Sequence, residues 1–253
     1  MLKRSLAVAA ALTLLTLGAC SSDDGDGDDD AKGNDASSSQ PSENYGSSDE
    51  SESPATSEAA PTDSESAATG ACTYNPDGTQ PAKQVDPPSP DPTETGKVNV
   101  TFETNVGDIK AVLDAKATPC TVNSLLSLAD QDYFDGTDCH RLTTAGIYVL
   151  QCGDPTGTGS GGPGYQFDDE LTGSETYPAG TLAMANAGPG TNGSQFFMVY
   201  KDSQLPPSYT VFGKVDTASI RILQKVAAKG SDNANAQGDG APVQKVTIDE
   251  VDD

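Results

Sequence analysis

The sequence predicts a mainly β fold, in which a closed antiparallel β-barrel is covered at its ends by two α-helices. Three observations lead to this prediction. Short apolar segments with a two-residue period recur through residues 96–253. Glycine and proline separate these segments. Two longer segments carry apolar residues at helical spacing instead. Many short strands with only two helices are typical of a barrel.

The N-terminal residues 1–19 have the pattern of an export signal. Lys3 and Arg4 precede a mostly apolar run over residues 6–17, and small residues precede Cys20. The run is too short for a comfortable membrane span. The letters LGAC that end at Cys20 resemble the lipobox of bacterial lipoproteins, which implies a lipid anchor on Cys20 and a place on the extracytoplasmic face of the cell membrane. The alternative is an ordinary cleaved signal followed by an unrelated cysteine.

Composition divides the remainder of the chain into a linker and one domain. Residues 20–95 hold 18 acidic and two basic residues among many Ser, Pro and Gly, which predicts a disordered linker. Residues 96–253 hold 20 acidic and 10 basic residues and most of the large apolar ones, enough for one compact domain. So acidic a domain is not expected to bind nucleic acid, which needs clustered Lys and Arg. A monomer is expected.

The domain opens with a predicted hairpin and a helix. Six apolar residues alternate with polar ones on either side of a turn at residues 105–107: Val98, Val100, Phe102, Ile109, Ala111 and Leu113. A helix is predicted to begin at Thr118 as its cap, with Pro119 in the first position. Its apolar stripe comprises Val122, Leu125, Leu126 and Ala129.

Further strands and one more helix follow. Strands are predicted at residues 139–142, 147–151, 181–185, 195–199 and 210–215. The second helix covers residues 218–229, carries Ile222, Leu223 and Val226 at helical spacing, and stops at Gly230. The last predicted strand is residues 243–248.

Four cysteines remain if Cys20 carries lipid. An even number in an exported chain suggests two disulfides, for which three pairings exist. We favour Cys139 with Cys152, because they flank one predicted hairpin, which leaves Cys72 to bond Cys120. The two-residue period of a strand argues against the first pair, since it can place the two side chains on opposite faces.

Two alternatives for the cysteines stay open. They could be buried free thiols. A zinc site from Cys139, His140 and Cys152 is disfavoured, because neighbouring strand residues point to opposite faces and the chain has no C-x-x-C pair. We therefore expect no metal and no cofactor.

Two short motifs do not support other chemistry. The G-x-G-x-x-G pattern at residues 157–162 is followed by Pro163 and not by a helix, so no helix N-terminus is available to a pyrophosphate. His140 is the only histidine, and Ser194 lacks the G-x-S-x-G setting of a serine hydrolase.

Six segments in a fixed order resemble the cyclophilin signature. They are residues 140–142 (HRL), 151–154 (QCGD), 157–164 (a glycine-rich loop), 182–189 (LAMANAGP), 191–197 (TNGSQFF) and 211–215 (VFGKV). The resemblance implies an eight-stranded antiparallel barrel capped by two helices. It also implies a peptidyl-prolyl cis/trans isomerase that acts on proline-containing polypeptides in the exported compartment.

The same resemblance implies a set of site residues. Arg141 takes the place of the catalytic arginine, Gln195 that of a glutamine on the substrate backbone, and Phe197 and Phe212 those of the floor and wall of the proline pocket. The other implied substrate-binding residues are Tyr148, Val149, Gln151, Ala185, Asn186, Leu205 and Tyr209. The turn at residues 143–147 is about two residues longer than usual. Gln204 stands where many members have tryptophan, which predicts weak inhibition by cyclosporin.

The chemistry of prolyl isomerisation agrees with this set. Rotation about an X-Pro bond breaks no covalent bond, so an enzyme needs neither a nucleophile nor a metal, only preferential binding of the twisted amide. A fixed arginine can donate a hydrogen bond towards the prolyl nitrogen as its lone pair localises. The alternative function is a module on the same fold that grips proline-containing segments without turnover, as a chaperone or adhesin.

Overall fold

The computed structural model describes residues 71–253. The predicted signal, Cys20 and the first part of the predicted linker lie outside this range. Within residues 71–253, no helix combines the length and apolar character needed to cross a membrane.

The described chain contains twelve strands and two helices. The strands are β1 (Asn75–Pro76), β2 (Lys97–Thr104), β3 (Ile109–Asp114), β4 (Thr137–Asp138), β5 (Arg141–Thr143), β6 (Val149–Cys152), β7 (Tyr165–Gln166), β8 (Thr181–Met184), β9 (Phe196–Val199), β10 (Val211–Val215), β11 (Asp239–Gly240) and β12 (Thr247–Asp252). The helices are α1 (Pro119–Ala129) and α2 (Thr217–Ala227). The predicted mainly β class with two helices is confirmed.

One antiparallel sheet of ten strands forms the body of the domain, in the order β11-β5-β6-β9-β8-β10-β3-β2-β12-β4. Eight of these strands have three or more residues. The predicted first hairpin is present, with Val98 opposite Leu113 and Phe102 opposite Ile109. Among residues 71–253 no ladder joins β11 or β5 to β4, although only Cys139 and His140 separate β4 from β5. Closure of the barrel therefore stays a prediction.

The sheet buries a different apolar cluster on each face. The larger cluster fills the inside of the curled sheet and includes Phe102, Leu113, Phe196 and Phe212, none of which is exposed. The smaller one consists of Val149, Tyr177, Ala183, Phe197 and Val199. Because successive side chains of a strand point to opposite faces, β9 places Phe196 in the large cluster and Phe197 in the small one.

The two helices begin with different caps. Thr118 precedes α1, but its hydroxyl donates to the Asp114 carbonyl oxygen and caps no N–H of the helix. The Glu170 carboxylate instead accepts the backbone N–H groups of Cys120 and Thr121, at 3.0 and 2.8 Å. A carboxylate suits the positive end of the helix dipole. At α2 the Asp216 side chain accepts the N–H of Ser219 at 2.7 Å.

Several strand boundaries differ from the predictions by one or more residues. The last strand is Thr247–Asp252 and not residues 243–248, because Val243 is 64% exposed whereas Ile248 and Val251 are buried. Its register shifts between Ile248 and Glu250, and this irregularity breaks the simple two-residue period of the sequence. The strand predicted at residues 139–142 begins at Arg141.

Part of the segment predicted as a disordered linker is packed against the domain. We call residues 72–90 the N-terminal arm. Tyr74 of the arm packs edge-on against Tyr165 and Phe167, with ring centroids 5.5 Å apart in both pairs. The Lys83 ammonium donates to the backbone oxygen of Asp135 at 2.6 Å. The boundary placed at residue 96 therefore lies after the point where packed structure begins.

Two disulfides join the four described cysteines in the favoured pairing. Cys72 bonds Cys120, which ties the arm to the first turn of α1, and Cys139 bonds Cys152. The parity objection does not apply, because Cys139 lies in the break between β4 and β5, where the strand alternation is interrupted. Cys139 and Cys152 are both buried.

Candidate active site

A small cavity on the outer face of the sheet gathers most of the predicted site residues. Its volume is about 160 Å³. The lining residues are Arg141, Ile147, Val149, Gln151, Ala185, Asn186, Phe197, Leu205 and Tyr209. Eight of the eleven predicted catalytic and substrate-binding residues are among them. They come from sequence positions as far apart as 141 and 209, and the sheet brings them together.

The floor of the cavity is apolar and rigidly supported. Phe197 on β9 is 5% exposed and lies opposite Gln151 on β6 and Ala183 on β8. The ring of Tyr209 meets Phe197 edge-on, with centroids 5.6 Å apart. Tyr177 holds Tyr209 in place, since its hydroxyl accepts the Tyr209 N–H at 3.0 Å and donates to the Tyr209 carbonyl oxygen at 3.1 Å. An apolar recess of this kind suits a small aliphatic ring.

Arg141 is held at the rim of the cavity by a two-point ion pair. Its Nε donates to Asp239 Oδ1 at 2.9 Å, and its Nη2 donates to Asp239 Oδ2 at 2.6 Å. Its Nη1 donates to Gln151 Oε1 at 3.2 Å. A guanidinium has five N–H donors, so two remain without a partner among residues 71–253. The hydrogen bonds to Asp239 raise the pKa of Arg141, and those from Arg141 lower the pKa of the Asp239 carboxyl. Both groups are therefore charged at neutral pH.

The hydrogen bonds continue from Arg141 through two glutamines. Gln151 Nε2 donates to Gln195 Oε1 at 2.9 Å. Gln195 Nε2 in turn donates to the backbone oxygens of Gly159 and Gly161, both at 3.0 Å. Because each amide has a donor on one side and an acceptor on the other, the orientation of both side chains is fixed. Gln195 lies beside the 160 Å³ cavity and not on its lining.

The glycine-rich loop that supports Gln195 is itself built around Asp154. This fully buried carboxylate accepts the backbone N–H groups of Thr156, Gly159 and Gly161, at 2.7, 2.7 and 3.0 Å. Burial alone would raise the pKa of Asp154, but these hydrogen bonds outweigh it and lower the pKa. A Cβ at Gly161 would lie 2.0 Å from Asp154 Oδ1, so this position requires glycine. The G-x-G-x-x-G pattern thus serves to position a site residue.

One edge of the cavity presents backbone groups. The Asn186 side chain donates to the Ser208 carbonyl oxygen at 2.9 Å and to Asp169 at 3.3 Å. Neither the backbone N–H nor the C=O of Asn186 has a hydrogen-bond partner among residues 71–253. The Ala185 N–H is used within the protein, because it donates to the Gln195 carbonyl oxygen at 2.9 Å. The free backbone groups of Asn186 are available to an extended peptide.

Tyr148 is not part of the cavity, which corrects the prediction. Ile147 takes the lining position. Tyr148 packs against the large cluster on the other face of the sheet, whereas Ile147 packs against the small cluster. The Tyr148 ring packs edge-on against Tyr200, with centroids 6.0 Å apart, and the Lys201 ammonium lies 4.0 Å from the ring centre. Residues 147–149 alternate in direction, so the longer preceding turn shifts the lining position from Tyr148 to Ile147.

Phe212 is also not part of the cavity. It is fully buried in the large cluster inside the curled sheet, whereas its neighbour Val211 packs against the smaller cluster that contains Phe197. The prediction was wrong because the two phenylalanines come from strands whose alternation puts them on opposite faces. Phe212 is a core residue.

Two residues of the site were missed from the sequence. Asp239 lies 98 positions after Arg141, in a segment without a recognisable period, and no local pattern indicates the contact. Ile147 could have been found from its two-residue spacing to Val149.

His140 precedes Arg141, and neither of its ring nitrogens has a hydrogen-bond partner among residues 71–253. Burial lowers the pKa of His140.

Residues 99–253 match the family model described as "Cyclophilin type peptidyl-prolyl cis-trans isomerase/CLD". A protein of Mycobacterium tuberculosis named "Probable peptidyl-prolyl cis-trans isomerase B" is 49% identical over 195 residues, which cover 71% of this chain and 63% of that protein. The protein of the same name from Mycobacterium leprae is 47% identical, covering 71% of this chain and 65% of that protein. The chain thus spans less than two thirds of the length of these relatives.

Other similar proteins are covered almost completely. "Peptidyl-prolyl cis-trans isomerase A" of Mycobacterium tuberculosis is 40% identical over 169 residues, covering 58% of this chain and 90% of that protein. A crystal structure of a Cryptosporidium parvum cyclophilin type peptidyl-prolyl cis-trans isomerase, determined in the presence of the dipeptide Ala-Pro, superposes with a TM-score of 0.53 at 34% identity. That match covers 61% of this chain and 97% of the other.

Proposed function

We propose that this chain, which belongs to the cyclophilin-type peptidyl-prolyl cis-trans isomerase family, accelerates rotation about X-Pro bonds in polypeptides. One observation carries the proposal. The Arg141 guanidinium is fixed at the rim of an apolar cavity by Asp239 and Gln151, and two of its N–H donors have no partner among residues 71–253.

The uncatalysed reaction defines what the site has to do. Amide resonance opposes rotation with a barrier of about 18–20 kcal/mol, and isomerisation takes tens of seconds or longer. When the amide is twisted, resonance is lost and the prolyl nitrogen becomes a better hydrogen-bond acceptor. An N–H donor of Arg141 placed there stabilises the twisted state more than either planar state, and such differential binding lowers the barrier.

The other residues of the site would bind the two sides of the X-Pro bond separately. The pyrrolidine ring occupies the recess lined by Phe197, Leu205 and Val149, and the flanking backbone pairs with the free N–H and C=O of Asn186. One side of the bond then turns while the other is held. Gln195 and Gln151 act as supports of Arg141, because both amides are already engaged within the protein.

A prolyl-peptide isomerisation assay tests this function. The wild type should accelerate exchange, and Arg141→Ala should lose most of the acceleration. Arg141→Lys keeps the charge but cannot form the two-point contact with Asp239, so it should also be impaired. If the wild type binds the peptide but isomerises it no faster than buffer does, the enzymatic function is refuted. The alternative function, a module that binds proline-containing segments without turnover, is then favoured.

We further propose that the protein is an exported lipoprotein held on the outer side of the cell membrane through Cys20. The sequence of residues 1–20 supports this proposal, although it lies outside the described range. The pairing of all four described cysteines is an independent support, since disulfides persist in oxidising compartments. Cys20→Ala should abolish acyl labelling and membrane retention. Unchanged labelling would refute the anchor.

We also propose that the domain is a monomer. Light scattering of the domain released from the membrane should give the mass of a monomer.

A further inference from the structure

The N-terminal arm forms one wall of a second groove beside the proline cavity. The groove has a volume of about 510 Å³ and shares Gln151, Ala185 and Asn186 with the smaller cavity, so the two are contiguous. The glycine-rich loop forms its floor, and Asp77 and Thr79 of the arm line it from the other side. This wall comes from a segment that precedes the residues matched by the family model.

The arm is fixed in this position by several independent contacts. Strand β1 pairs with β7, which places Asn75 opposite Gln166 and Pro76 opposite Tyr165. The Asp77 N–H donates to the Gly164 carbonyl oxygen at 3.2 Å, and further along the Ala82 N–H donates to that of Gly162 at 2.9 Å. The bond between Cys72 and Cys120 anchors the arm covalently three residues before β1. This wall of the groove is therefore an ordered part of the domain.

Asp77 is the only ionisable acid or base on the lining, apart from the tyrosine hydroxyl of Tyr165. Its Oδ1 accepts the backbone N–H and the hydroxyl of Thr79, both at 2.7 Å, which sets the direction of the carboxylate. Its Oδ2 has no hydrogen-bond partner among residues 71–253. The lining contains no Lys or Arg to neutralise it. A partly buried carboxylate with a free oxygen in a groove favours a cationic group.

We propose that this groove binds a Lys or Arg side chain of the substrate polypeptide, with Asp77 as the specificity-determining residue. The proposal rests on the proposed isomerase function. Because the two cavities share three lining residues, the cationic residue lies close to the proline in the substrate sequence. Its aliphatic stem would run along Pro163 and the glycine backbone, with the charged end at Asp77.

A matched peptide panel tests the proposal. The peptides differ only at the positions two and three residues before and after the proline, where each carries Lys, Gln or Glu in turn. Protease-free exchange measured by NMR gives kcat/KM for each. The wild type should prefer Lys over Gln, and Gln over Glu, by about two- to fivefold per step at one of these positions, the range of a partly exposed ion pair. In 1 M salt this preference should largely disappear, because the screening length falls to about 3 Å.

Two variants complete the test. Asp77→Asn should remove the order Lys over Gln over Glu. Asp86→Asn is the matched control, because Asp86 lies on the same arm and is exposed but does not line the groove. It should keep the order. An active wild type that treats all peptides alike, or prefers Glu, overturns the subsite. A wild type inactive on every peptide refutes the isomerase function instead, so the two failures can be told apart.

Discussion

The ion pair between Asp239 and Arg141 gives the sharpest prediction about catalysis. Asp239→Asn keeps the shape of the side chain but removes its charge and one of its two acceptor oxygens. The amide nitrogen that replaces this oxygen would face a guanidinium N–H, so one of the contacts at 2.6 and 2.9 Å becomes donor against donor. Arg141 would keep its hydrogen bond to Gln151. It would lose the pair of hydrogen bonds to residue 239 that orients the plane of its guanidinium group.

The magnitude follows from the exposure of the pair. A hydrogen bond to a charged group contributes about 1.5–3 kcal/mol when buried, and an exposed ion pair about 0.2–1 kcal/mol. The side chains of Arg141 and Asp239 are 34% and 23% exposed, so the pair lies between these limits. We expect a loss of about 1–2 kcal/mol in the positioning of Arg141. At about 1.4 kcal/mol per factor of ten, kcat/KM should fall about 5- to 30-fold.

The assay is exchange kinetics of one neutral proline peptide over a range of concentrations. The fall should be mainly in kcat, because the apolar cavity that binds the proline ring is unchanged. Asp138→Asn is the control, since Asp138 forms an ion pair with Lys245 at 2.9 Å and does not line the cavity. Its kcat/KM should match the wild type. If Asp239→Asn stays within twofold of the wild type while Arg141→Ala is inactive, Asp239 does not position the arginine.

Three further predictions concern stability and pH. Replacing Cys72 and Cys120 by Ala should lower the free energy of unfolding by about 4 kcal/mol, since the disulfide closes a loop of 48 residues. Denaturant titration measures this loss. An unchanged denaturation midpoint contradicts the prediction. Burial lowers the pKa of His140 below the ordinary histidine value of about 6.5. The unfolded chain therefore protonates this histidine at a higher pH than the folded chain does, and stability is lost as pH falls below about 6.5. His140→Gln should remove that part of the loss. Phe212→Ala should cost about 3–5 kcal/mol of stability without a specific effect on catalysis. Phe197→Ala should lower kcat/KM as well as stability, because Phe197 is 5% exposed and forms the cavity floor. A Phe212→Ala variant as stable as the wild type refutes its place in the core.

Sequence patterns predicted the elements that repeat a simple period. The hairpin around residues 105–107 and both helices were found because their apolar spacing reflects burial directly. The twelfth strand was misplaced by four residues, because its register shifts near Glu250 and breaks that period. The cap of α1 was assigned to Thr118, whereas Glu170 performs it from 50 residues away.

For the site, the resemblance located Arg141 but not what holds it. Asp239 contacts it across 98 positions of sequence, and such a contact has no local signature. Phe212 was misassigned because phenylalanine on a strand is equally compatible with the two faces, and only the register decides between them. The polar composition of the arm predicts a disordered linker, yet the packing of Tyr74 and the disulfide at Cys72 stabilise it against the domain.

The bond between Cys139 and Cys152 bears on how the site opens over time. It joins Cys139, which lies in the break between β4 and β5 beside Arg141, to Cys152 at the end of β6. Gaps of this kind are where proteins open locally at low free energy and exchange their amide hydrogens with solvent. A covalent crosslink there restricts the amplitude of such opening, so the neighbouring amides of β6 should exchange mainly when the whole domain unfolds. How long Arg141 keeps its position therefore depends on whether this disulfide stays oxidised, and so on the thiol redox potential of the compartment in which the protein resides.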